Sequence, residues 1–153
     1  MHKLNPYINQ LEVYSSRHQT VNLEVSNGSI GWHIEHTLKV ISRISEALEK
    51  SNTKEYVWKF NFGRYFILAI NKIPRGKGVA PKVVIPEGNI TSESLKNSIS
   101  NSREAIKKIE SLKPAHFFTH PYFGDLNLRT SKRFLDIHTK HHIKIISDII
   151  KAS

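Results

Sequence analysis

Leu128-Arg-Thr-Ser-Lys-Arg-Phe134-Leu135-Asp-Ile-His138-Thr-Lys-His141-His142-Ile-Lys-Ile145-Ile146-Ser-Asp-Ile149-Ile-Lys151 closes the sequence on a helical period. Apolar residues recur here at spacings of three and four, the mark of an amphipathic helix, and Asn127 is the natural N-cap. The stripe runs through Phe134 or Leu135, His138, His142, Ile145, Ile146 and Ile149. Two histidines thus stand in the middle of a face that must be buried. Residues four apart lie one turn above each other, with β-carbons roughly 6 Å apart, so both imidazoles can reach one ion. Two buried imidazoles without partners would cost roughly 1–3 kcal/mol each, and a shared metal ion satisfies both. His141 falls toward the edge of the same face.

Three more segments carry the same period. Residues 4–18 align Leu4, Ile8, Leu11 and Tyr14 or Ser15. Residues 29–50, capped by Ser29, align Ile30, Ile34, Thr37, Ile41, Ile44 and Leu48. Residues 92–112, capped by Thr91 or Ser92, align Leu95, Ile99, Ser102, Ile106 and Ile109, and Glu93 suits the positive end of the helix dipole. The segment between the second and third helices differs. Residues 57–70 are rich in aromatics, with Trp58, Phe60, Phe62, Tyr65 and Phe66, and can form a short extra helix whose aromatics are read as core. Pro74, Gly76, Gly78, Pro81, Pro86 and Gly88 then punctuate a long loop. A strand has a place only at Val83-Val84-Ile85 and is not expected to form. These segments predict an all-α fold: a four-helix bundle, one domain over residues 1–153, with a long crossover between helices 2 and 3.

The bulk properties narrow the function classes. The 153 residues contain no cysteine, which removes disulfides, thiolate nucleophiles and cysteine-held metals. The longest apolar run, Phe66 to Ile70, is far too short to cross a bilayer. The opening Met1-His2-Lys3-Leu4-Asn5-Pro6 lacks the apolar core of a secretory leader, so a cytoplasmic location is expected. The formal net charge is +10, but the lysines are spread along the chain and no dense basic run interleaves with aromatics. A nucleic-acid partner is therefore disfavoured.

A third ligand must come from another helix, and the second offers His33 and His36. Wheel geometry places His33 nearer the centre of the apolar stripe and His36 nearer its edge. Glu35 points off the stripe and reads as a solvated acid. The block Gly28-Ser29-Ile-Gly-Trp-His33-Ile-Glu-His36 resembles the second helix of the DinB/YfiT-like superfamily, four-helix bundles described as metal-dependent enzymes. That signature is an N-cap Ser or Thr with a ligand histidine seven residues later. The superfamily's last helix carries His-x-x-His-His, matched by His138 to His142. Ile73-Pro-Arg-Gly-Lys77, Ala80-Pro-Lys82 and His120-Pro-Tyr-Phe-Gly124 resemble one branch of it whose function is unknown. The resemblance implies the ligand set His36, His138 and His142, with His33 as the alternative to His36.

Three neutral imidazoles leave an open coordination position, the catalytic pattern, and all-imidazole ligation suits zinc or nickel, with iron, cobalt or copper also compatible. No general base stands within the stripes: Asp136 and Asp148 sit off the centre of the last helix's face. The resemblance implies a hydrolase or thiol transferase acting on a small molecule, with a low-molecular-weight thiol as a cosubstrate. The rival reading is a metal-binding or stress-related protein without turnover. The loop Arg75-Gly76-Lys77 with Lys82 reads as a solvated basic turn ahead of an anion site. His120 is either at the mouth of the site or a turn residue ahead of the last helix. Trp32 is expected at a helix interface. A homodimer is compatible with a bundle of this size.

Overall fold

The computed structural model describes residues 4–76 and 78–153. Five helices form: α1 (Leu4–Tyr14), α2 (Ile30–Lys50), α3 (Phe62–Ile70), α4 (Ser92–Ser111) and α5 (Leu128–Lys151). Two short strands, β1 (Phe117–His120) and β2 (Gly124–Asn127), pair antiparallel just ahead of α5.

The helix starts follow side-chain chemistry. Ser29 Oγ accepts from the Trp32 N–H at 3.0 Å and opens α2. Thr91 and Ser94 exchange hydrogen bonds as a capping box at the start of α4. Asn127 Oδ1 accepts from the Thr130 N–H at 3.0 Å and starts α5. Each cap satisfies a first-turn N–H that has no partner within its helix. At its far end α1 stops short of residue 18. Ser15 and Ser16 hydroxyls donate to the carbonyls of Glu12 and Val13, and the chain tightens into a 3₁₀ turn over Ser15–Arg17.

The four long helices close a ring. α1 packs on α4 and α5, and α2 packs on the same two from the other side. Ile8, Leu11, Ile30, Ile34, Ile41, Leu48, Leu95, Leu135, Ile146 and Ile149 are fully or almost fully buried in one connected core. The expected stripes supply these residues and also the buried Ser102, whose hydroxyl donates to the Leu38 carbonyl at 3.3 Å. The structure is thus mostly helical, with a small two-stranded sheet that the pattern of apolar residues does not announce.

No strand forms at residues 83–85, as expected; a 3₁₀ turn covers Lys82–Val84. Its carbonyls serve α2 side chains: Val84 O accepts from His36 Nδ1–H at 2.9 Å and Ile85 O from Lys39 Nζ at 3.2 Å. Two expectations change, and the first is the β1–β2 hairpin, which was not expected. Its turn ends at Gly124, whose φ of +64° is open to glycine at little cost. The second change concerns the aromatics read as core. Trp58, Phe60, Phe62 and Tyr65 are 65–71% exposed. Trp58 and Phe60 lie in the segment leading into α3, and for Phe62 and Tyr65 the cause is α3's contact edge, where only Arg64 and Ile67 are buried. The Arg64 guanidinium donates to the backbone carbonyls of Phe123, Asp125 and Lys59, which fixes α3 against the hairpin by that edge and turns its aromatics outward.

Candidate metal centre

α2 and α5 face each other across the ring, and each presents its histidines to the other. His36, His138 and His142 each offer a ring nitrogen, and these lie within 4.8 Å of one another. The ring centroids are 4.6 Å apart for His138 and His142, 4.8 Å for His36 and His142, and 5.2 Å for His36 and His138. Nitrogens bound to a tetrahedral zinc sit roughly 3.3 Å apart. Side-chain rotation would have to bring the three to that separation on binding an ion.

The second nitrogens tell the histidines apart. His36 donates its Nδ1–H to the Val84 carbonyl at 2.9 Å, which leaves the Nε2 lone pair for a ligand role. Trp32 stacks on the His36 ring, 5.1 Å between centroids and 9° between planes, and holds its orientation. His142 Nδ1 lies 3.0 Å from His33 Nδ1, and His33 Nε2 lies 2.9 Å from Ser26 Oγ. When His142 donates to His33 and His33 to Ser26, the His142 Nε2 lone pair is free. Hydrogen-bonded partners of this kind orient metal-binding imidazoles and raise their basicity. His33 therefore stands beside the trio with both ring nitrogens engaged. His138 is half-buried, and its Nδ1 is buried with no hydrogen-bond partner. That orphaned nitrogen, beside two imidazoles with free lone pairs, fits a group able to hold a metal ion.

Electrostatics favour the ligand-competent form. Burial pushes the pKa values of His138 and His142 well below the ordinary histidine value. Burial also lowers His36, against the opposing effect of its bond to Val84. His33 is pushed down to about 4, first by burial and then by His36, His141 and Arg75. Neutral imidazole is the form that binds a cation.

Above the trio opens a cavity of about 580 Å³, lined by residues of α2, α5, the hairpin and the loop that carries Pro74, Val79 and Pro81. Two sites of sequence ambiguity resolve here. His120 lines the cavity and also fixes the hairpin turn, accepting from the Tyr122 N–H at 3.1 Å. Burial lowers its pKa to about 4. His141 lines the cavity edge, its ring perpendicular to His142.

The remaining candidates go elsewhere. Arg75 pairs with Asp148 at 2.5 Å and ties the loop to α5; it stays exposed, as a solvated turn residue would, but its guanidinium is not a free anion site. Lys82 is exposed, and Lys77 lies outside the described residues. Glu35 is not the solvated acid expected: it is half-buried, with Oε2 buried and without a hydrogen-bond partner. Neither Asp136 nor Asp148 lines the cavity. Sequence reasoning gave no hint of the Val84 carbonyl or of Ser26, because neither a backbone oxygen nor a lone serine leaves a signature.

Comparison of the chain with protein-family models, with curated proteins and with solved structures finds no match.

Proposed function

We propose that this chain is a metal-dependent enzyme of the DinB/YfiT-like kind, acting on a small molecule by hydrolysis or by transfer to a low-molecular-weight thiol. The ligands are His36, His138 and His142, and the ion is zinc or nickel. The observation that carries this reading is the trio itself: three ring nitrogens within 4.8 Å at the floor of an open cavity. Three protein ligands leave room for a substrate or a water, whereas closed structural sites use four. The ion would supply Lewis-acid chemistry, polarising a bound group and lowering the pKa of a water or thiol.

The chain's own residues orient the site. Val84 and Trp32 fix the plane of His36. Ser26 and His33 hold the His142 ring in place through its Nδ1. No carboxylate lines the cavity among the described residues, so deprotonation of a bound water or thiol does not rely on an acidic side chain.

The test is metal analysis of the purified protein followed by a screen of thiol conjugation and of ester and amide hydrolysis, with and without chelator. Turnover that the chelator abolishes and added metal restores is the expected result. Bound metal without turnover would leave the rival reading, a metal-binding protein. No metal at all would end both.

A further inference from the structure

The cavity wall says what kind of molecule the site takes, an inference that rests on the metal-centre reading. No Asp or Glu lines it among the described residues. Most of its polar side chains are already engaged within the protein. Thr119 Oγ1 donates to Asp125 at 2.6 Å, and the Tyr122 hydroxyl donates to the Val79 carbonyl at 3.3 Å. Arg43 pairs with Glu46 at 3.0 Å. His141 is hydrogen-bonded to the backbone of Ile73, and the His120 ring stacks on Phe123 at 4.3 Å between centroids. Between these groups the lining is aliphatic and aromatic, with Val40, Ile44, Val84 and Phe134 walling the space above the trio.

We propose that the cavity takes a small molecule with an extended apolar body, uncharged or anionic, whose one metal-binding donor is held at His36, His138 and His142. A polar group placed along the aliphatic and aromatic wall would give up water without a replacement partner there and weaken binding roughly tenfold or more. A cationic group would be buried with no carboxylate to face it. Each methylene laid against the wall, by contrast, tightens binding by up to about fourfold. A space of about 580 Å³ lies within the range that encloses a small organic ligand.

The experiment uses the full, metal-loaded chain and butyl, hexyl, octyl and decyl hydroxamic acids, which share one metal-binding head. Titration calorimetry should show affinity climbing with chain length, by up to about fourfold per methylene, until the cavity is full. A hydroxylated six-carbon hydroxamate should bind far more weakly than the hexyl compound. Ala80→Phe, which adds bulk to the wall, should weaken the decyl compound more than the butyl one with metal content unchanged.

Metal retained but all four chains bound alike, or the hydroxylated chain bound as well as the hexyl one, overturns the inference and leaves the metal reading standing. Equal affinity for the alkyl series before and after removal of the metal overturns the placement of the donor. A chain that takes up no metal and binds none of the compounds sinks both readings.

Discussion

Four imidazoles meet where α2 faces α5, and their second nitrogens assign them different work. His36 is anchored to a backbone carbonyl, His142 to His33, and His33 to Ser26. Wheel geometry alone leaned to His33 as a ligand because it does lie at the buried centre of α2. What it could not show is the bond from His33 to His142, which depends on how α2 and α5 dock. His33→Ala should therefore weaken metal binding by about 10–100-fold without abolishing it, as loss of an orienting partner does. Competition with a chromophoric chelator measures this, and complete loss of metal would make His33 a ligand instead. Acid sensitivity follows from the same burial. Histidine in the unfolded chain titrates near 6.5, while His33 and His120 in the folded chain sit at about 4 and the three trio histidines are also lowered. Between those values the unfolded chain takes up protons that the folded chain refuses. Stability of the metal-free protein is thus fully present above about pH 6.5 and falls as the pH drops toward 4. Urea unfolding at pH 7 and pH 5 should show the loss, and His120→Phe should make it shallower. An unchanged midpoint would contradict the burial of these rings.

At the scale of single elements, α3 is where composition misled. Its aromatics read as core because hydrophobicity reports how apolar a segment is and not which way it faces. The short helix is held by the buried Arg64 and its three carbonyl partners, and Phe62 within it and Phe60 just before it stand 71% and 67% exposed. Phe60→Ser and Phe62→Ser should each change stability by no more than about 0.5 kcal/mol, the usual effect of a surface change. Arg64→Met should cost about 1–3 kcal/mol by leaving carbonyls unsatisfied. Chemical denaturation of the three variants separates the accounts: a large loss in the Phe variants with none in Arg64→Met would restore the core reading. Helices α2, α4 and α5 were more legible, since their stripes repeat over five or more turns and Ser29, Thr91 and Asn127 mark their starts. The hairpin was not, because four-residue strands carry too short a pattern and Pro121 interrupts it.

Across the whole molecule, the ring of α1, α4, α2 and α5 brings residues more than 100 positions apart to one point. His138 and His142 could be paired from the sequence because both sit on one helix. Their joining to His36 depended on a helix–helix register that no local pattern encodes, and a resemblance supplied it. The cavity was invisible altogether, since it is made by the hairpin and the loop through Pro81 meeting over the α2–α5 seam. No helix among the described residues is long and apolar enough to cross a membrane. The claim on which everything above rests is that His36, His138 and His142 hold one ion between them. Metal content by mass spectrometry, on protein purified without chelator, tests it in the wild type and in His36→Ala, His138→Ala and His142→Ala. The account predicts about one equivalent of divalent metal per chain in the wild type and little or none in each folded variant. Metal retained in full by any of the three variants, with helical content intact by circular dichroism, would contradict it.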